Sequence, residues 1–301
     1  MGISRSVRLS RIVKTPDNFV KCALFICSSL TVFFVFLVIV FILSSSVPAL
    51  KELGFKNVFF STKWSPNVSA PLKGNYGILA FLNGTILTTI GALILGAPLG
   101  VGTAVFIDEY APVWLKGLVF RGVEIIAGIP SVVIGWFGLT LLVPMIAEIT
   151  NTSGYGMFAA SLVLALMVVP TITTLSFEAL QAVPEDIHDA SVALGATRWQ
   201  TVSRVLLPAS LRGIAAAVIL GMCRAIGETM AVQMVIGNAR QLTFNPLTRT
   251  STLTTRIVTD MGESHGVFRS ALFAQGLVLL IFSAVLIIIV RAALKGRALS
   301  Q

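Results

Sequence analysis

Charge is scarce in this sequence. Only 12 % of its 301 residues are Asp, Glu, Lys or Arg, about half the share of an ordinary soluble domain. That deficit excludes a soluble globular enzyme and a disordered chain. Histidine is rarer still, with two residues, His188 and His265. There is no H-E-x-x-H and no G-x-S-x-G, so neither a zinc site nor a nucleophile elbow is encoded, and each histidine reads as a solvated loop residue. The three cysteines, Cys22, Cys27 and Cys223, fall in apolar stretches. An odd count without C-x-x-C spacing gives no disulfide framework and no metal site, and they read as small apolar packers. A G-x-x-x-x-G-K-[ST] loop is also missing, so the chain carries no ATP cradle of its own.

Hydrophobic residues make up 55 %, and the mean hydropathy is +0.91. The formal net charge is +9, but the cations sit in gaps between apolar runs. They form no basic face or tail, which argues for a membrane and against a nucleic-acid partner. Residues 22–50, 74–107, 125–147, 149–177 and 270–290 contain no charge, and 213–239 is interrupted only by Arg224 and Glu228. Each run exceeds the ~20 residues that cross a bilayer as helix. None shows the alternation of barrel strands, and in lipid only helices or closed barrels satisfy the backbone. The fold class expected is therefore an all-α membrane protein with six transmembrane helices, near 22–46, 78–106, 120–146, 156–177, 212–236 and 270–291.

The first span is too long for a signal-peptide core of 7–15 residues and reads as uncleaved. With six spans, both termini share a side. That side holds Arg5, Arg8, Arg11, Lys14, Lys21, Lys116, Arg121, Arg198, Arg204, Arg212, Arg291, Lys295 and Arg297. The other side holds Lys51, Lys56, Lys63, Lys73, Arg240, Arg249, Arg256 and Arg269. The excess places both termini in the cytoplasm. The chain then divides into a cytoplasmic tail (1–21), a first span (22–46), an outer loop (47–77), a bundle (78–292) and a cytoplasmic tail (293–301).

The loop 178–212 is the most informative segment. Pro184, Glu185 and Asp186 suit a helix start, and Gly195 suits its C-cap. Thr197-Arg198-Trp199-Gln200 has the T-x-x-Q form of a capping box that opens a second helix, and Pro208 is expected to limit it. The result is a helix–Gly–helix hairpin, which reads either as an amphipathic element on the headgroups or as a dock for a cytoplasmic partner. Asp189-Ala190-Ser191, Gly195 and the run Val205-Leu206-Leu207-Pro208 keep the gaps of E-A-A-x3-G-x9-I-x-L-P. This resembles the EAA loop of ABC-importer permeases, with Asp for Glu, Ser for Ala and Val for Ile.

Further stretches resemble the phosphate-importer permeases of the PstC type. They are Phe60 to Pro66, Tyr76 to Leu79, Asn83-Gly84-Thr85, Glu109 to Pro112, Ala127 to Val133, and Arg224-Ala225-Ile226-Gly227-Glu228-Thr229-Met230-Ala231-Val232 followed by Gly237-Asn238. The resemblance covers the chain from about residue 55 onward. It implies a type I ABC-importer permease fold in a bacterial inner membrane. A second, PstA-like permease would pair with the chain, and two ATPase subunits, which themselves bind ATP-Mg, would dock on the hairpin. A phosphate-binding protein would deliver phosphate outside, and this chain would hold no cofactor. Asp189, Ala190, Ser191, Gly195, Val205, Leu207 and Pro208 would then couple to the ATPases.

Arg224 and Glu228 lie four apart, which on a continuous helix puts them on one face. Each is costly in lipid, so both should face the bundle interior or a water-filled path. Two readings stand: a structural ion pair, or an arginine fork on the phosphate route with Glu228 holding it and Thr229 beside it. Rivals in function are a permease for sulfate or molybdate, the sister phosphate permease, and a carrier working without an ATPase. Gly96, Gly100 and Gly102 read as close-packing positions. Three N-x-[ST] sequons, at Asn67, Asn83 and Asn151, carry no meaning in a bacterial-type transporter. The Thr-rich segment 238–269 is long for a connection and reads as a re-entrant element or a contact for the binding protein.

Overall fold

A computed structural model describes residues 17–67 and 74–297. The cations Arg5, Arg8, Arg11, Lys14 and Lys73, the sequon serine Ser69, and the tail segments 1–16 and 298–301 lie outside the described residues. Among the described residues six helices are long and apolar enough to cross a membrane: Val20–Leu53, Leu79–Tyr110, Ser131–Thr150, Met157–Gln181, Arg198–Gly227 and Gly266–Ala292.

The first belongs to α1 (Asp17–Leu53). A short α2 (Phe55–Phe59) and two antiparallel strands of two residues each, β1 (Trp64–Ser65) and β2 (Asn75–Tyr76), follow, with Trp64 opposite Tyr76. The second span is α3 (Leu79–Val105) extended by a π-helical turn, Phe106–Tyr110. The central helix is α7 (Met157–Gln181), which buries Ala160, Val163, Leu164, Met167, Val168 and Ile172. In lipid, helices associate through close packing rather than hydrophobic exclusion, so small residues set the approach. A Cβ on Gly96 would lie 2.6 Å from Val168 Cγ2, and one on Gly100 would lie 2.8 Å from Ile172 Cβ. With Gly91, whose Cβ would lie 2.4 Å from Ser161 Oγ, these two glycines let α3 approach α7 closely. Gly102 faces open space and departs from the packing expected of it.

Two spans are broken where the sequence reads as continuous helix. In place of one helix over 120–146, α4 (Val113–Gly128) ends before Pro130, and the span restarts as α5 (Ser131–Phe137), a π-helical turn Gly138–Leu142, and α6 (Val143–Thr150). The proline pushes Ile129 out of the helical region, to φ −68°, ψ 129°. In place of one helix over 212–236, α10 (Leu207–Gly227) stops at Glu228, which has φ −69°, ψ 129°, and α11 (Met230–Val235) follows.

Segment 238–269 is knitted into the end of the bundle where α1 finishes, called here the loop end. The Leu253 amide donates to Thr85 Oγ1 on α3 at 3.0 Å, and Asn83 Nδ2 donates to the Thr243 carbonyl at 2.7 Å. Within this segment α12 (Leu253–Met261) is held by a capping box at Thr252, and α13 (Gly266–Arg297) completes the bundle. The opposite, hairpin end carries α8 (Glu185–Ala193) and α9 (Arg198–Thr201).

Candidate functional site

Two places collect the polar residues singled out by sequence: the break after α10 and the hairpin between α7 and α10. At the break, Arg224 occupies the last turn of α10, where a cation complements the helix C-terminus. Its Nη1 donates to Thr171 Oγ1 on α7 at 3.3 Å, and it forms no ion pair among the described residues. The expected Arg224–Glu228 pair is absent for a geometric reason. The i,i+4 relation holds only along a continuous helix, and the chain leaves the helix at Glu228. Glu228 Oε1 instead accepts from the Ala231 amide at 3.3 Å at the start of α11, and its backbone carbonyl accepts from Thr254 Oγ1 at 3.1 Å. Thr229 Oγ1 donates to the Gly227 carbonyl at 3.2 Å, and Gln233 Nε2 donates to Thr259 Oγ1 at 3.4 Å. The break thus gathers Arg224, Glu228 and Thr229 into one polar region floored by α12, without joining their side chains.

At the hairpin, α8 closes in a Schellman motif. The Gly195 amide donates to the Val192 carbonyl at 2.9 Å and the Ala196 amide to the Ser191 carbonyl at 3.2 Å. Gly195 has φ +80° and its Cβ direction is open, so glycine is required for conformation and not for space. The capping box at Thr197 is formed in both directions, at 3.3 and 2.9 Å. Ser191 meets Thr201 at 3.0 Å and fastens α8 to α9. Asp189 and Ala190 are exposed, Val205 and Leu207 are half-buried, and Pro208 is exposed. Pro208 does not limit the second helix as expected. A π-helical turn, Val202–Leu206, precedes it and relieves the clash of its ring with the preceding turn. The helix therefore runs from Arg198 through α10 to Gly227 without a stop.

Ile187, Val192, Leu194 and Trp199 stand exposed on the hairpin, Leu194 at 89 % and Trp199 at 65 %. His188 is less free than a loop histidine: its Nε2 lies 3.7 Å from Glu109 Oε2 on the π-turn of α3, and its Nδ1 lies 3.4 Å from Asp189 Oδ1. A cavity of about 740 Å³ opens between that turn and the hairpin, lined by Glu109, Pro184, His188 and Arg198 among others.

A third polar cluster, at the loop end, was not anticipated. Arg256 and Asp260 on α12 are 2 % and 4 % exposed and pair at 3.1 Å. Asp260 also accepts from Trp64 Nε1 at 2.7 Å and from Arg240 Nη2 at 3.2 Å. Arg256 donates to the Asn238 carbonyl at 2.6 Å and to Ser251 Oγ at 2.7 Å, and lies 5.2 Å above the Phe81 ring. Burial pulls the Arg256 guanidinium below its ordinary pKa, and the Asp260 charge pushes it back up. Among the described residues no group of three or more His, Cys, Asp or Glu is placed to hold a metal ion.

Comparisons with known proteins cover most of this architecture. The family described as "Binding-protein-dependent transport system inner membrane component" matches residues 96–297. The "Probable ABC transporter permease protein YqgH" of Bacillus subtilis is 44 % identical over 234 residues, which is 77 % of this chain and 75 % of the relative. The "Phosphate transport system permease protein PstC" of Xylella fastidiosa (strain Temecula1) is 34 % identical over 256 residues, 78 % of each chain. A "Probable phosphate transport system permease protein PstC" of Methanocaldococcus jannaschii is 30 % identical over 304 residues, 95 % of this chain and 92 % of the relative. Among solved structures, a bacterial alginate ABC transporter in complex with its pentasaccharide-bound periplasmic protein has a chain that superposes with a TM-score of 0.62 at 15 % identity, covering 91 % of this chain and 94 % of the other. A chain of the inward-facing MetNI methionine ABC transporter gives a TM-score of 0.52 at 24 % identity, covering 72 % and 94 %. These two likenesses carry the fold alone. With six membrane-length helices, an ABC-importer fold and a family match over two thirds of its length, the chain belongs to the binding-protein-dependent transport system inner membrane components and is a multi-pass inner membrane protein.

Proposed function

We propose that this chain is a PstC-type permease subunit that forms half of the path for inorganic phosphate in an ATP-driven importer. The observation that carries the reading is Arg224. It sits at the break of a membrane span, and among the described residues its one hydrogen bond goes to a neutral hydroxyl and it pairs with no carboxylate. An uncompensated guanidinium in a membrane span is expensive unless it faces water or an anion. Its planar donor fork matches phosphate oxygens. Relatives named phosphate transport system permeases support the choice of substrate.

Glu228 and Thr229 belong to the same path, Glu228 by shaping the break. The chain lacks a phosphate-binding loop for ATP, so ATP-Mg is bound by two partner ATPases. These dock on hairpin 178–212 at Asp189, Ala190, Ser191, Gly195, Val205, Leu207 and Pro208 and on the apolar side chains of Leu194 and Trp199. A PstA-like permease completes the path, and a phosphate-binding protein engages the loop end. The bundle 78–292 then rocks around a site near mid-membrane. Both termini, including tails 1–21 and 293–301, face the cytoplasm, and the outer segment 47–77, whose first residues complete α1, faces outward.

The test is uptake of inorganic phosphate by the complete importer in proteoliposomes. Arg224→Gln should assemble with its partners and lower uptake by about a hundredfold, the order of one charged hydrogen-bonding group lost. Uptake of sulfate or molybdate in place of phosphate, or normal uptake by the variant, would overturn the reading.

A further inference from the structure

The contact between Arg224 and α7 has a chemistry that the sequence motif does not contain. Helices α7 and α10 pack tightly just below the break: a Cβ on Gly221 would lie 2.7 Å from Ile172 Cγ1. That approach fixes the spacing of the next residues up, Thr171 on α7 and Arg224 on α10, and lets a short hydroxyl reach a guanidinium. Ile172 and Thr173 turn to the buried side of α7, Thr173 donating to the Gly100 carbonyl at 3.2 Å. Thr171 is half-buried on the side of Arg224.

Its hydroxyl also differs from those of several threonines on other helices of the bundle. Thr85, Thr88, Thr103, Thr140 and Thr259 each donate back to the carbonyl four residues earlier, at 2.7–2.9 Å. Thr171 makes no such bond. Its oxygen accepts from Arg224 Nη1, and its proton has no acceptor among the described residues. A threonine hydroxyl can accept and donate at once. The site therefore offers the remaining guanidinium N–H groups and one O–H side by side.

We infer that Thr171 is a second oxyanion-contacting residue of the path: it holds the Arg224 fork in place and donates its own hydroxyl proton to the passing phosphate. The inference rests on the reading of Arg224 as an anion contact. It is tested on the complete importer in proteoliposomes with inorganic phosphate as the probe, and with co-purification of the partner subunits scored for every variant. Thr171→Val keeps the shape and removes the hydroxyl; it should lower the maximal uptake rate about tenfold with assembly intact. Thr171→Ser should retain at least half the rate. In an Arg224→Gln background, adding Thr171→Val should lower uptake less than twofold further, because both residues serve one contact.

Normal uptake by Thr171→Val alongside loss in Arg224→Gln would overturn the role of Thr171 alone. Normal uptake by Arg224→Gln would overturn the underlying reading. A serine variant as poor as the valine one would assign Thr171 to packing through its methyl group and also overturn the inference. Should Thr171→Val fail to assemble, Thr171→Ala against Thr171→Ser decides: equal rates sink the proposal, and a serine rate several-fold higher supports it.

Discussion

At the loop end Arg256 and Asp260 are sealed inside the chain, with Trp64 and Arg240 closing over the same carboxylate. At the hairpin end the reverse holds: Asp189 is open and Leu194 and Trp199 project with 89 % and 65 % of their surface uncovered. A buried ion pair tolerates burial only when its remaining donors and acceptors are met, and the loop end meets most of them with Trp64, Asn238, Arg240 and Ser251 of the same chain, leaving Arg256 Nε without a partner among the described residues. The hairpin satisfies its own backbone through the Schellman turn and the capping box and ties α8 to α9 through Ser191 and Thr201, but it leaves the apolar side chains of Ile187, Val192, Leu194 and Trp199 uncovered. The loop end is thus finished by this chain alone. The hairpin is built as a rigid surface for something else to cover.

This contrast is most severely tested at Asp260. Asp260→Ala strands the buried Arg256 cation and the Trp64 N–H, which costs about 3–5 kcal/mol, a large part of the stability of an ordinary domain. Thermal unfolding of the detergent-purified complex should shift down by many degrees and the yield should collapse. A shift of a degree or two would mean that the loop end does not depend on its buried pair.

A smaller effect is expected at Gly195. Its φ of +80° makes Gly195→Val cost about 1–2 kcal/mol locally, with Gly195→Asn recovering most of it because asparagine tolerates the left-handed region. The chain should stay folded while co-purification of the ATPase and phosphate uptake fall, in the order Gly, Asn, Val. Equal co-purification across the three would make the hairpin a passive surface.

The smallest change is expected at Leu194. After replacement of Cys22, Cys27 and Cys223, Leu194→Cys should alter stability by no more than about 0.5 kcal/mol, as befits an uncovered position. An impermeant thiol reagent should leave it unlabelled in intact cells and label it in permeabilised cells lacking the ATPase. The assembled importer should protect it. Labelling in intact cells would invert the assignment of sides, and labelling in the assembled importer would move the dock elsewhere.

The six spans and the hairpin were legible because each rests on local signals: charge-free runs longer than a bilayer, a cap sequence at Thr197, and a glycine after a short helix. The break at Ile129–Pro130 had a local signal as well, the proline itself, but the apolar run continues through it and hydropathy averages over the interruption. The break at Glu228 had no such marker. Arg256 and Asp260 stand four apart in a polar, Thr-rich stretch, a pattern that elsewhere means a solvated face, so their burial could not be read from composition.

What the sequence by itself determined is therefore one-dimensional: how many times the chain can cross, which side collects cations, and where its helices begin and cap. These follow from desolvation of backbone and charge, which each segment meets alone. Only the tertiary structure decided that Glu228 is not the partner of Arg224, that Thr171 is, and that Asp260 serves Trp64 from nearly two hundred residues away. Those choices depend on which helices approach closely enough for a side chain to span the gap, and that distance is set by packing partners such as Gly221 and Ile172, which no segment carries within itself.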